Sequence, residues 1–398
     1  MAASNFILGS TTAQIAALTT LQATGLSTDD IAALTTAQLA ALTTTNLALL
    51  STSQVQAIST TDIAVLKTSQ IAALTTDQVV ALATDQIRAL SSASMAALTT
   101  SQLAAIETED IAALTTSQLA ALVTTSAVGA LTTDQVMALS TAAVAGLTTT
   151  TLIALKTSQV AALTSDQVMV LTSSELGALK TTQVKALTTD QVIALTSTQV
   201  EGLSTATFAA LTSAQVGALE TGDIANLKST QLAALTSTNI VGLTTEQIVT
   251  LNTAQLIQLS TTQVSGLSTA QVTALETGDI VALLTSQVAA LNTTSVAALT
   301  TDQVMVLSSS ALAALKTAQV QALTTDQVIA LTTTQVGGLT TAAVAALTTA
   351  QIIAIDTADI GVLTTAHIAA LKSSQLAVLT TDQVIALTTE QIRGLTST

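Results

Sequence analysis

The chain has 398 residues, a formal net charge of −15 and only 8% charged side chains, with no Pro, Cys, Trp or Tyr. The acidic balance argues against nucleic acid, which needs a basic face, and the lack of cysteine excludes a disulfide framework or a thiolate metal site and leaves the redox compartment undetermined. Apolar residues make up 49%, too many for the low-hydrophobicity signature of disorder.

The first ten residues, MAASNFILGS, have no basic region and too short an apolar core for a secretory signal. Residues 1–10 are expected to form an N-terminal segment in which Phe6, Ile7 and Leu8 cap the first turn or contact another subunit. From Thr11 the chain reads TTAQIAAL, TTLQATGL, STDDIAAL and so on to TTEQIRGL, which ends at Leu395. These are 48 units of eight residues, with one exception: the nine-residue VTTSAVGAL at 123–131. Periodicity of this kind marks a repeat architecture, so 11–395 is expected to be a single solenoid without linkers. The extra residue is expected to form a local bulge around Val123 to Thr125, because octads resume in register at Thr132. Mean hydropathy is +0.66, but a Thr/Ser pair interrupts every eight residues, whereas a membrane-spanning helix needs about 20 mostly apolar residues in a row. TSDQVMVL-TSSELGAL-KTTQVKAL-TTDQVIAL from Thr164 is echoed from Thr300, an offset of 136 residues or 17 octads. A 24-residue spacing (Lys156 to Lys180, Thr164 to Thr188) suggests three octads per solenoid turn. Residues 396–398 follow the last octad.

Numbering each unit 1 to 8, as in Thr132–Leu139, position 8 is nearly always Leu and position 5 Val, Ile or Leu. Position 7 is usually Ala or Gly, position 2 Thr or Ser, and position 4 usually Gln. Positions 1, 3 and 6 vary and hold most charges. Positions 5 and 8 lie three apart and share one helical face, while 3 and 6 share the opposite one. Thr at 1 with Gln at 4 has the capping-box spacing; where Lys stands at position 1, as in Lys67, Thr at position 2 is expected to be the cap instead. One continuous helix is excluded: eight residues at about 100° overshoot two turns by about 80°, so the apolar stripe would wind around the rod. The chain must change direction near positions 8 and 1. Each octad therefore predicts one short α-helix. The alternative is a β-solenoid, since Thr, Val and Ile favour strands and stacked Thr or Gln ladders are plausible. Against it, apolar spacings of 3 and 5 fit period two poorly, and Gly recurs chiefly at position 7, where it alternates with Ala as a close-packing residue, rather than at a fixed corner. One octad cannot fold alone and depends on its neighbours.

The segment LTTDQVVAL at 74–82 resembles the opening of the first helix in TAL-effector repeats; the likeness covers nine residues and implies helix initiation, not DNA binding. The Thr/Ala/Val-rich, low-charge octads resemble short-repeat solenoid proteins of bacterial surfaces or filaments.

Chemistry-bearing residues are sparse. His367 is the only histidine and stands where Gln is usual, which fits a tolerated polar substitution better than a catalytic or metal role. Acidic pairs recur at positions 1 and 4: Glu107/Asp110, Glu220/Asp223, Glu276/Asp279 and Asp356/Asp359. Calcium needs six to eight oxygens on a glycine-turned loop, so these pairs read as cap-favouring faces. Met95, Met137, Met169 and Met305 read as scattered fill, and no Gly-flanked nucleophile or phosphate loop exists. No catalytic, cofactor-binding or metal-binding residue is predicted, nor any small-molecule substrate. The repeat reaches Leu395 without a polar cap, and head-to-tail stacking that does not close yields a filament. The sequence thus predicts a non-enzymatic, self-assembling homopolymer subunit of an extracellular filament, sheath or surface layer. The alternative function is a rigid adhesin stalk or binding scaffold.

Overall fold

A computed structural model describes Ile7, residues 9–122 and residues 125–395. Phe6 and Leu8 of the expected cap, Val123 and Thr124 of the expected bulge, and residues 396–398 lie outside the described residues. The chain divides into two units, Met1–Leu203 and Ser204–Thr398, which meet at an octad boundary.

Each unit is a succession of short helices, most of four to six residues, and no strand occurs among the described residues. The β-solenoid alternative is therefore wrong. The strand-favouring threonines are consumed as helix caps, and Val and Ile serve as core residues within single helical turns. In the octad Thr132–Leu139, Thr132 is extended (φ −73°, ψ 164°) and its hydroxyl accepts from the Gln135 amide N–H at 3.1 Å. The Gln135 side-chain oxygen accepts from the Thr132 N–H at 2.8 Å. This reciprocal box satisfies two of the donors that every helix start leaves open. The helix Thr133–Ala138 then ends at Leu139, which leaves helical geometry (φ −57°, ψ 133°), followed by extended Ser140 (φ −65°, ψ 149°). Two consecutive extended residues, Leu at position 8 and the next N-cap, make the corner. No described residue has positive φ, so the corner needs neither glycine nor proline.

Lysine at position 1 does not shift the cap to position 2, as the sequence had suggested. Lys67 itself stands at the N-cap, extended (φ −65°, ψ 149°), with no side-chain cap bond. Only half of the box survives: the Lys67 N–H donates to the Gln70 side chain at 2.9 Å. The same half-box occurs at Lys156, Lys180, Lys316 and Lys372. The corner geometry is fixed by the preceding Leu, so the helix start stays where the octad puts it.

Positions 5 and 8 are buried along both units, as in Val136, Leu139, Val304 and Leu307. Exceptions among the described residues are Leu26, Leu283 and the final octads, where Val384 and Ile392 lie exposed. Positions 3 and 6 face outward, including Arg88 and Lys185. Helices stack on the third helix along: Thr76–Val80 on Thr100–Ala105, and Thr269–Ala274 on Thr293–Ala298. The side-chain bridges reach slightly further back than the stacked helix. The Gln amide at position 4 crosses to the fourth octad back. The Gln167 side-chain nitrogen donates to the Val136 and Leu139 carbonyls at 2.9 and 2.7 Å, 31 and 28 residues earlier. The long side chain thus ties each helix to the corner that precedes the helix it stacks on, as Gln167 does at Leu139, just before the helix Thr141–Ala145 on which Ser165–Met169 packs. Across the nine-residue unit the same bond spans 32 and 29 residues, from Gln135 to Leu103 and Ile106.

Glycine at position 7 marks close approach. A Cβ on Gly242 would collide with the backbone carbonyl of Ser213, three octads earlier, whereas one on Gly361, at position 6, would meet only the Ala386 carbonyl at 3.9 Å. Gly242→Ala should lower the denaturant midpoint, because a backbone atom cannot yield as a side chain can. Gly361→Ala should raise it, by roughly 0.5–1 kcal/mol of helix propensity. Urea unfolding of the two variants side by side checks the pair, and equal effects would contradict the packing described here.

Candidate functional site

The recurrent polar side chains of the octad converge inward. At position 4, Gln is almost fully buried in octad after octad, for example Gln159, Gln167, Gln247 and Gln287 at 1% exposure. Its oxygen takes the N–H of its own cap residue, and its nitrogen spans to the turn below. Gln327 repeats the pattern in the second unit, accepting from the Thr324 N–H at 2.8 Å and donating to the Val296 and Leu299 carbonyls at 2.9 and 2.6 Å. The capping half of this role is legible in the Thr-x-x-Gln spacing. The bridging half is not, because its partner lies some thirty residues away. A helix that ends at a corner leaves its last carbonyls without intrahelical donors, and the buried amide supplies one.

Substitutes at position 4 show what the site demands. Asn46 donates to the Leu18 carbonyl at 2.8 Å, 28 residues back. Asn239 likewise reaches Leu211 at 3.1 Å, but its buried side-chain oxygen has no partner. One methylene shorter than Gln, it spans the gap and loses the cap. His367 reproduces both Gln bonds: its Nδ1 accepts from the Thr364 N–H at 3.2 Å, and the ring bonds the backbone of Leu339, 28 residues earlier. Burial holds the ring's pKa below the ordinary histidine value, with the Leu339 bond opposing it. The neutral tautomer with hydrogen on Nε2 fits this pairing.

Aspartate at position 4 adopts a different solution. Asp62 accepts from the Thr36 hydroxyl at 2.8 Å, and Asp359 accepts from the hydroxyl of Thr333, each Thr sitting at position 2 three octads earlier. Burial raises the Asp359 carboxyl above the usual aspartate value, the Thr333 bond lowers it, and the charge of Asp356 raises it. Asp279 is likewise raised first by burial, then held back by the Glu276 N–H it accepts, with the Glu276 charge raising it. Asp356 accepts from the Ala358 N–H at 3.2 Å. Asp279, Asp356 and Asp359 are thus engaged with helix starts or a neighbouring hydroxyl, whereas Glu107 and Glu220 make no side-chain cap bond and a buried oxygen of Asp223 has no partner.

Among the described residues no group of three or more His, Cys, Asp or Glu side chains could hold a metal. No described helix is long and apolar enough to cross a membrane. A cavity of about 390 Å³ lies at the last described turn, lined by Leu371, Leu376, Leu379, Val384, Leu387 and Leu395 among others.

A family model described as the ALTTAQ repeat matches eight segments, residues 25–60, 55–92, 103–141, 170–205, 216–253, 272–309, 304–333 and 352–389, together more than half of the chain. The string itself stands at Ala33–Gln38, where it comprises the close-packed Ala, the corner Leu, the capping Thr, its outward neighbours and the bridging Gln. No curated protein matches the chain.

The two buried ionisable types give opposite pH signatures. The raised Asp359 contributes stability that is complete below its unfolded pKa and is lost as pH rises through the folded value. The depressed His367 contributes stability present above the unfolded histidine pKa and lost as pH falls through the folded value. Asp359→Gln, which would aim an amide at the Val328 and Leu331 carbonyls, should therefore raise the midpoint most at neutral pH, with the gain shrinking in acid. His367→Gln should gain only in acid. Thermal melts of both variants from pH 4 to 8 check the signs, and parallel pH profiles would refute the assignment.

Proposed function

The chain belongs to the ALTTAQ repeat family, and we propose that it acts as a non-enzymatic structural scaffold whose copies stack end to end. The observation that carries the reading is the fate of its recurrent polar groups. Thr at position 1 and Gln at position 4, the side chains a binding or catalytic repeat would present outward, are spent on the chain's own backbone. What remains outside is a variable surface at positions 3 and 6, suited to spacing and display rather than chemistry.

End-to-end stacking has its own support. Around the cavity at 371–395, Val384 and Ile392 are 47% and 48% exposed, although position 5 is buried in interior octads. The carbonyls of Val384 and Leu387 occupy the places that, one turn earlier, receive a Gln amide from the fourth octad onward. An N-terminal turn of a second copy offers the exposed glutamines Gln14 and Gln22 and the exposed Leu21. Contact of this kind repeats along one axis without closing, which gives a filament. An extracellular sheath or surface layer, fitting for a cysteine-free chain with few lysines, belongs to the same proposal.

Sedimentation and negative-stain microscopy of the 398-residue chain test it. The parent should show concentration-dependent polymers. The double variant Leu387→Lys, Leu395→Lys should keep its far-ultraviolet spectrum and remain monomeric. Polymers from the double variant, or a parent that stays monomeric at high concentration, would rule out this contact and leave a stalk or scaffold acting singly.

A further inference from the structure

The second unit presents an apolar ridge on its outer surface. Val281, Met305, Ile329 and Ile353 all occupy position 6, where Ala is commoner, and they are 64%, 46%, 59% and 50% exposed. They recur every 24 residues, so they sit on helices three octads apart. Those helices pack directly on one another in sequence: Thr277–Ala282 on Thr301–Met305, then Thr325–Ile329, then Thr349–Ala354. Position 6 of one helix abuts position 7 of the third helix along, as the 3.7 Å approach of Val362 to the Cβ position of Gly337 shows. Four large aliphatic side chains therefore line up across four stacked helices. Single exposed apolar residues need no explanation, but an aligned set marks an interaction surface.

The ridge is also acidic. Asp302 and Asp326, both exposed, stand at position 3 of the two middle helices, one helical turn from Met305 and Ile329 and on the same face. The four octads contain no Lys, Arg or His. The pairing recurs in the first unit, where Asp77, Asp134, Asp166 and Asp190 precede exposed Val80, Met137, Met169 and Ile193 by the same three residues.

The geometry points to this ridge as the docking surface for a basic amphipathic helix. Charge selects the occupant. A second copy, itself carrying −15, would set Asp302 and Asp326 against like charges, and an anionic lipid surface would be repelled. Spacing selects the shape. Packed helices lie about 8–10 Å apart, and seven residues of an α-helix advance about 10.5 Å. A partner with apolar residues every seven positions thus meets successive ridge side chains, and Lys or Arg on its flanks meets the aspartates. This inference does not rest on end-to-end stacking, since the ridge lies along the side of the unit.

The test uses a synthetic 25-residue peptide, Leu at the heptad a and d positions and Lys elsewhere, against the full chain, with binding read by fluorescence anisotropy. The Lys/Leu peptide should bind, with affinity falling as salt rises. Met305→Ser with Ile329→Ser should weaken binding by about tenfold or more, as expected for anchor residues. These variants should fold, because Ser265 already occupies position 6 of its octad. Asp302→Asn with Asp326→Asn should weaken binding and flatten its salt dependence. Equal binding of a sequence-scrambled peptide, or unchanged affinity in the Met305/Ile329 variant, would overturn the assignment. So would a ridge-dependent dimer in sedimentation that Ile329→Ser abolishes, which would make the surface a contact between copies.

Discussion

The fold depends on one side-chain amide used at both ends. An octad is too short to bury its own helix termini, and each corner leaves carbonyls facing the interior. Gln at position 4 has an acceptor for the cap N–H and a donor for the turn below, on a stem long enough to do both. Leaving a buried carbonyl unmatched costs about 1–3 kcal/mol, so a chain with a corner every eight residues could not tolerate that loss at each turn. The bridges of Gln167 and Gln327 answer it in the same way in both units.

The substitutions confirm that length and donor capacity matter together. Asn239 keeps the donor and loses the cap, leaving an oxygen without a partner. Asp359 keeps an acceptor, has no donor when ionised, and recruits a hydroxyl from three octads earlier. His367 matches Gln in both functions through its two ring nitrogens. The one histidine in the chain is therefore explained by hydrogen-bond geometry, and the feature that most resembled a functional singleton is a structural equivalent of its neighbours.

Much of this was legible in the sequence, and the failures have physical causes. The 5/8 apolar pair, the Thr-x-x-Gln spacing and the overshoot of a continuous helix are local facts, and they led correctly to one short helix per octad. The three-octad turn suggested by Lys156 and Lys180 detected a true neighbour relation, because helices three apart do stack. It missed that the amide bridge reaches one octad further, since a bond spanning 28 to 31 residues leaves no periodic mark beyond the presence of Gln itself. The cap at Lys67 was misplaced because a side-chain preference was weighed above the corner set by the preceding Leu. The ridge at Val281 to Ile353 was visible only as scattered variation until stacking aligned it.

Since each helix stacks on the third helix along while its Gln amide ties to the corner before that helix, successive courses are laced like bricks in running bond, with each joint covered by the unit above. No level plane passes cleanly between one turn and the next within either unit. A crack driven across the solenoid would have to sever amide bridges and bend around corners at the same time, so shear is shared among several octads and does not collect at one seam. A repeat whose side chains bonded only to the helix directly below would lack that interlock and would part along its bed joints.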